Sequence, residues 1–203
     1  MSFGQSTMFV GKRKPPAHPA LVSLPYPKEQ SRWLQLVKWL LAVPHLIVLA
    51  LLVIVAAFAT LAAAVMVLAT RRVPRPLFDF LLGVYRWYTR VSAYLLLMCD
   101  RYPPFSLKEG GYPCDVTLPY VERSTRWAPL YKWLLVVPHL IILEVFDDFV
   151  VVVALIAFFG LLFTRRYPEG LFAVNLGFLR WQVRAFAYAG LLTDRYPPYQ
   201  LEE

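Results

Sequence analysis

The chain has 203 residues, of which 59% are hydrophobic and 17% charged, with a formal net charge of +8 and a mean hydropathy of +0.51. A water-soluble domain averages about 45–50% apolar and about 25% charged residues, so this composition points away from a soluble globule and excludes a disordered chain. Two cysteines supply no disulfide framework, and no CxxC pair or Cys/His cluster offers a zinc site.

Residues 1–18 are polar, contain Lys12-Arg13-Lys14-Pro15-Pro16, and lack the apolar core of a signal peptide, so they read as a flexible basic arm. Ser31–Val43 reads as an amphipathic lead-in helix. Its Arg32, Trp33, Lys38 and Trp39 suit the headgroup level, where indole rings anchor and lysines snorkel. Pro44 then opens a membrane-spanning helix, because proline favours the first helical turn. From Trp39 to Thr70 there is no charged residue. That run is about 32 residues, or about 48 Å as a helix, against about 20 residues needed to cross a bilayer. Arg71-Arg72 closes it, and Pro74 and Pro76 make the turn. Leu77–Cys99 follows with about 23 residues, long enough to span, but it carries Asp79, Arg86 and Arg90. It ends in Asp100-Arg101-Tyr102-Pro103-Pro104-Phe105.

The rest of the chain repeats this pattern. Shifted by 94 residues, Pro19–Leu107 lies on Pro113–Leu201 without a gap, and 41 of the 89 positions are identical. That density marks a duplication. The identities cluster. Lys38-Trp39-Leu40-Leu41 matches Lys132-Trp133-Leu134-Leu135, and Val43-Pro44-His45 matches Val137-Pro138-His139. Arg86-Trp87 and Arg90 match Arg180-Trp181 and Arg184, and Asp100-Arg101-Tyr102-Pro103-Pro104 matches Asp194-Arg195-Tyr196-Pro197-Pro198.

The fold expected is all-α and integral to the membrane: two tandem helical-hairpin repeats, about four membrane helices, with interfacial amphipathic lead-in helices. Repeat 1 covers 19–107, a linker 108–112, and repeat 2 residues 113–203 with a short acidic tail, Glu202-Glu203. Hairpins that enter and leave on one side make the copies parallel, related by a pseudo-two-fold along the membrane normal. The segment Ser106–Thr117 then returns on that same side. The basic excess beside the termini favours cytoplasmic ends.

These motifs resemble the bacterial membrane family catalogued as domain of unknown function 4389. The resemblance rests on Pro-His opening an apolar helix, Arg166-Tyr167-Pro168, Arg-Trp-x-x-Arg and Asp-Arg-Tyr-Pro-Pro-Phe, whose second copy ends in Tyr199. The first copy departs from it, with Val73 in the place of Tyr167 and Arg75-Pro76 in the place of Glu169-Gly170. The resemblance implies a bacterial integral membrane protein with no established activity, and the expected location is the bacterial inner membrane, crossed several times.

Polar residues at membrane depth are the candidate functional positions. Gly83, Arg86, Arg90, Ala93 and Leu97 recur at spacings of 3 and 4, so they share one helix face, and the same residue types stand at Gly177, Arg180, Arg184, Ala187 and Leu191. Such a stripe suggests an inward face where backbones approach closely. Arginine near the bilayer centre costs about 2.5–3.5 kcal/mol and needs a partner. Repeat 2 supplies acids that repeat 1 lacks, Glu144, Asp147 and Asp148. The expected network pairs Arg180 or Arg184 with them, and Arg86 and Arg90 share the acids across the pseudo-two-fold. Two bland readings compete: ion pairs that only specify packing, and second helices that lie in the interface with their arginines on phosphates.

His45 and His139, at equal depth, could be two axial ligands of a b-type haem; otherwise they are interfacial histidines, and no cofactor is expected. Nucleic-acid binding is excluded, because the basic residues sit at helix ends and no base-reading module is present. No nucleophile elbow, phosphate loop or HExxH occurs. The expected function is a non-enzymatic accessory or scaffold subunit of a bacterial membrane assembly. Its partners are lipids and other membrane proteins or a second copy. A small transporter using the Arg/Asp/Glu residues, and a haem- or quinone-binding electron-transfer subunit, are the alternatives.

Overall fold

A computed structural model describes residues 18–201. The expected basic arm lies outside the described residues up to position 17, as do Glu202 and Glu203. The chain forms a short strand β1 (Leu21–Ser23) and a hairpin of α1 (Leu34–Thr70) and α2 (Arg75–Leu95). A second strand, β2 (Asp115–Thr117), leads into a hairpin of α3 (Ala128–Thr164) and α4 (Glu169–Ala189). Every element of one repeat recurs 94 positions on in the other.

Local sequence explains the bounds. α1 and α3 are long because their residues are helix-tolerant aliphatics and alanines, without an internal glycine until Gly160. Each ends at an arginine in the left-handed region, Arg71 (φ 60°) and Arg165 (φ 61°), whose N–H bonds the carbonyl four residues back. Pro74 and Pro168 then start the second helices. The lead-in expected over Ser31–Val43 is not a separate element. It is the first part of α1, with Pro44 inside the helix, and Pro138 sits likewise in α3. A proline interrupts a single backbone hydrogen bond. Here the turns on either side of Pro44 are pinned to the rest of the repeat, by Lys38 before it and His45 after it.

The two repeats are antiparallel, which corrects the parallel arrangement expected from the hairpins. β1 pairs with β2 about Val22 opposite Val116, which are equivalent positions. Gln182 donates to the hydroxyl of its equivalent, Tyr88, at 3.0 Å. A pseudo-two-fold therefore passes through both pairs. The open end of each hairpin meets the closed end of the other. The Gln30 N–H bonds the Arg165 carbonyl, and the Ser124 N–H bonds the Arg71 carbonyl, both at 2.9 Å. The segment between the repeats does not return on one side but runs along α2 and turns into β2. Among the described elements β2 packs on α2 and β1 on α4, and neither strand reaches α1 or α3. The molecule thus has three layers: the ribbon with its loops, then α2 and α4, then α1 and α3. Each leading strand is exchanged onto the other repeat.

Burial follows the layers. Residues 81–84 and most of the rest of α2 are enclosed, and α4 is similar. α1 buries a single stripe, Lys38, Ala42, His45, Leu49, Ala56, Ala63 and Val67 among it, and exposes apolar side chains elsewhere. Among the described residues one helix, Leu34–Thr70, is long and apolar enough to cross a membrane, where about four were expected.

Candidate membrane-facing surface and the buried clusters behind it

The motifs that are identical between repeats converge on one cluster per hairpin. Lys38, fully buried near the start of α1, donates to the Cys99 carbonyl and pairs with Asp100, both at 2.9 Å. Gln35 adds a hydrogen bond to the same carboxylate at 2.9 Å. In repeat 2 Lys132 takes the Thr193 carbonyl and Asp194, and Ser124 joins at 2.7 Å. Tyr102 and Tyr196 reach back to the carbonyls of Leu41 and Leu135. The Asp-Arg-Tyr-Pro-Pro segment is therefore the strap that closes the hairpin onto its first helix.

His45 and His139 sit under this strap, fully buried. Each Nδ1 accepts from a tryptophan indole, Trp87 at 3.1 Å and Trp181 at 2.9 Å. Each ring stacks on the last aromatic of the motif, Phe105 at 4.0 Å and Tyr199 at 3.9 Å between centroids. An accepting Nδ1 places the proton of a neutral imidazole on Nε2, which leaves no lone pair there for iron. The two rings occupy separate hairpins instead of facing each other across the axis. The haem reading of His45 and His139 is thereby corrected: both are packing residues of the strap. Among the described residues no group of three or more His, Cys, Asp or Glu could hold a metal ion.

The arginine stripe of α2 faces the loop and ribbon, not another helix. Arg86 bonds the Val116 carbonyl at 2.9 Å and the Leu107 carbonyl at 3.0 Å, and its Nε lies 2.8 Å from Asp115. Arg90 bonds the carbonyls of Cys114, Ser106 and Gly110 and lies 3.1 Å from the same carboxylate. Gly83 is small because Leu107 presses on it: a Cβ there would lie 2.7 Å from the Leu107 Cβ and 3.0 Å from its carbonyl oxygen. Gly177 meets Leu201 in the same way, and Arg184 bonds the Gln200 carbonyl at 3.2 Å. Sequence periodicity found this face correctly but not what covers it. Asp115, the acid that Arg86 and Arg90 share, went unnoticed; its equivalent in the first repeat is Leu21.

Glu144, Asp147 and Asp148 are exposed on α3. Among the described residues no ion pair joins them to an arginine, so the expected network with Arg86, Arg90, Arg180 and Arg184 is not formed. Glu144 and Asp147 instead line a cavity of about 340 Å³ with Leu140, Leu143, Tyr88 and Gln182, on the side of α2 and α4 away from the ribbon. The arginines and the acids are held in different layers.

Two further clusters tie the repeats together. His18 accepts the Ala20 N–H on Nδ1 and donates from Nε2 to the Arg195 carbonyl, both at 3.1 Å. Tyr112, its equivalent, donates to the Arg101 carbonyl at 2.7 Å. Burial lowers the His18 pKa below its ordinary value. Cys99 and Cys114 are free and buried, and burial pushes the Cys114 thiol up to about 12.

The sequence matches the family described as Domain of unknown function (DUF4389) twice, over residues 32–106 and 126–200. The chain belongs to this family, as two tandem copies. No curated protein and no solved structure matches it. Each DUF4389 match begins at the arginine just before the first helix and ends one residue after the aromatic that stacks on the buried histidine. One match is therefore one strapped hairpin, while β1 precedes the first match and β2, with most of the loop that feeds Asp115 to the arginines, falls between the two.

The outer layer leaves a long apolar surface exposed. From Leu36 to Ala69 every exposed residue of α1 is uncharged. Large apolar side chains stand out along the helix: Ile47, Leu51, Phe58 and Leu61 are each at least 60% exposed. α3 presents the same kind of surface, interrupted by its three acids.

Proposed function

We propose that the protein is a non-enzymatic, membrane-embedded accessory or scaffold subunit of a membrane protein complex. The observation that carries this reading is the position of Glu144, Asp147 and Asp148 on an otherwise apolar outer layer. Two helices that expose Ile, Leu, Val and Phe along their whole length present far more contiguous apolar surface than a soluble monomer tolerates, and lipid is its natural solvent. Asp148 stands about 160° around α3 from the stripe that packs on α4, so it projects outward. A carboxylate left in hydrocarbon costs roughly 2.5–3.5 kcal/mol, which a donor or cation from a neighbouring protein offsets. The transport reading has less support, because the arginines are engaged by Asp115 and loop carbonyls in another layer.

The test is affinity purification in mild detergent followed by mass spectrometry. The native chain brings down a partner in fixed stoichiometry, and Asp148→Asn with Glu144→Gln loses it while still inserting. A lone homogeneous species from the native chain overturns the scaffold reading.

A further inference from the structure

We infer that α1 and α3 lie flat in a single leaflet, so that the protein is a monotopic plate resting on lipid and not a bundle that crosses it. The inference rests on the membrane reading above and specifies how the outer layer meets its lipid partner; protein neighbours are a separate matter.

Three observations carry it. The first is depth. The pseudo-two-fold runs through Val22–Val116 and Tyr88–Gln182, at right angles to the antiparallel helices. If α1 and α3 stood upright, the ribbon would sit at the level of their midpoints, in the middle of the bilayer. The loop held by Arg86 and Arg90, with Lys108, Glu109 and Gly110 exposed, brackets that level because those arginines bracket Tyr88. Exposed loops and open ribbon edges do not occur in the hydrocarbon region, where nothing satisfies their backbone groups. Laid flat, the same molecule turns the ribbon to water and only the outer layer to lipid. One helix is about 10 Å thick, which fits within half of a hydrocarbon core of about 30 Å.

The second is length. The uncharged stretch from Trp39 to Thr70 is about 48 Å long as a helix, and fitting it to about 30 Å of hydrocarbon needs a tilt near 51°, beyond the 0–40° that spanning helices adopt. The third is charge. The antiparallel packing brings Arg32 and Trp33 beside the end of α3 at Arg165, and Arg126 and Trp127 beside the end of α1 at Arg71. Trp33 and Trp127 are 76% and 61% exposed. Both ends of the plate thus carry guanidinium and indole groups, the pair that suits anionic headgroups and their boundary with acyl chains.

The experiment is side-specific labelling of the full chain with a membrane-impermeant maleimide, in sealed membrane vesicles of either orientation prepared from expressing cells. Arg72→Cys and Arg166→Cys report the two hairpin turns, at opposite ends of the plate, and Lys108→Cys reports the ribbon layer. All three positions are exposed or partly so, and the buried Cys99 and Cys114 give the background of the unsubstituted chain. All three cysteines are expected to react from one side and to lose their labelling from the other. Turns on opposite sides with position 108 protected from both would overturn the inference in favour of inverted spanning repeats. Turns on one side and position 108 on the other would overturn it in favour of parallel spanning hairpins. A chain that sediments free of the vesicles without detergent, as a dimer with its apolar layers face to face, overturns the membrane reading itself and is recognised before any labelling.

Discussion

Asp115 is the most informative residue to perturb. Its side chain is 14% exposed and stands within 2.8 Å of Arg86 Nε and 3.1 Å of Arg90 Nη2, while also accepting the Gly110 N–H at 2.6 Å. It pins β2 and the preceding loop to α2. Replacing it with asparagine keeps the shape but sets an amide against two guanidinium groups. Breaking a buried ionic contact by removing one partner costs about 3–5 kcal/mol. Both arginines keep carbonyl acceptors from Leu107, Val116, Cys114, Ser106 and Gly110, so the low end applies, about 3 kcal/mol. For a chain of this size that lowers the unfolding midpoint by roughly 6–12 °C. The assay is thermal unfolding in mild detergent followed by tryptophan fluorescence. Glu109→Gln is the control: its contact with Arg86 is 3.4 Å long and the side chain is 65% exposed, so it shifts the midpoint little. A fall for Asp115→Asn no larger than the control's would refute the claim that this carboxylate holds the ribbon layer.

Two other outcomes follow from the same geometry. Gly83→Ala drives a methyl into the Leu107 backbone and loses about 1–3 kcal/mol of stability, whereas Gly170→Ala, with nothing within 4 Å, is neutral or gains about 0.5–1 kcal/mol in its helix; equal midpoints for the two would dismiss the close approach of the loop. The His18 proton arrangement makes stability pH-dependent. Its folded pKa lies below the ordinary 6.5, so its contribution is complete above that pH and is lost as the pH falls through the lowered folded value. His18→Tyr, which copies Tyr112, removes one histidine's share of the midpoint-against-pH slope below pH 6.5; an unchanged slope would show that His18 contributes nothing to it.

Local pattern made much of the architecture legible. The duplication was visible because 41 identities survive at one fixed offset. Helix type and approximate bounds followed from apolar run length and from the prolines at the turns, and the Gly83–Arg86–Arg90 face followed from the helical period. Lys38 was harder. A lysine beside Trp39 looks interfacial, yet it is buried because Asp100 and the Cys99 carbonyl, more than 60 positions away, neutralise it.

Composition, period and repetition are properties of neighbours along the chain, and they specify a doubled, helical, unusually apolar chain with few and well-placed charges. Contacts between distant segments set the copies antiparallel, exchange their leading strands, and turn Arg86 and Arg90 to Asp115 and loop carbonyls instead of to Glu144, Asp147 and Asp148. A hairpin's hydropathy is the same whichever way its twin is turned, and a buried charge is satisfied by whatever the fold brings to it. Both facts depend on contacts distant in the chain, where periodicity carries no information.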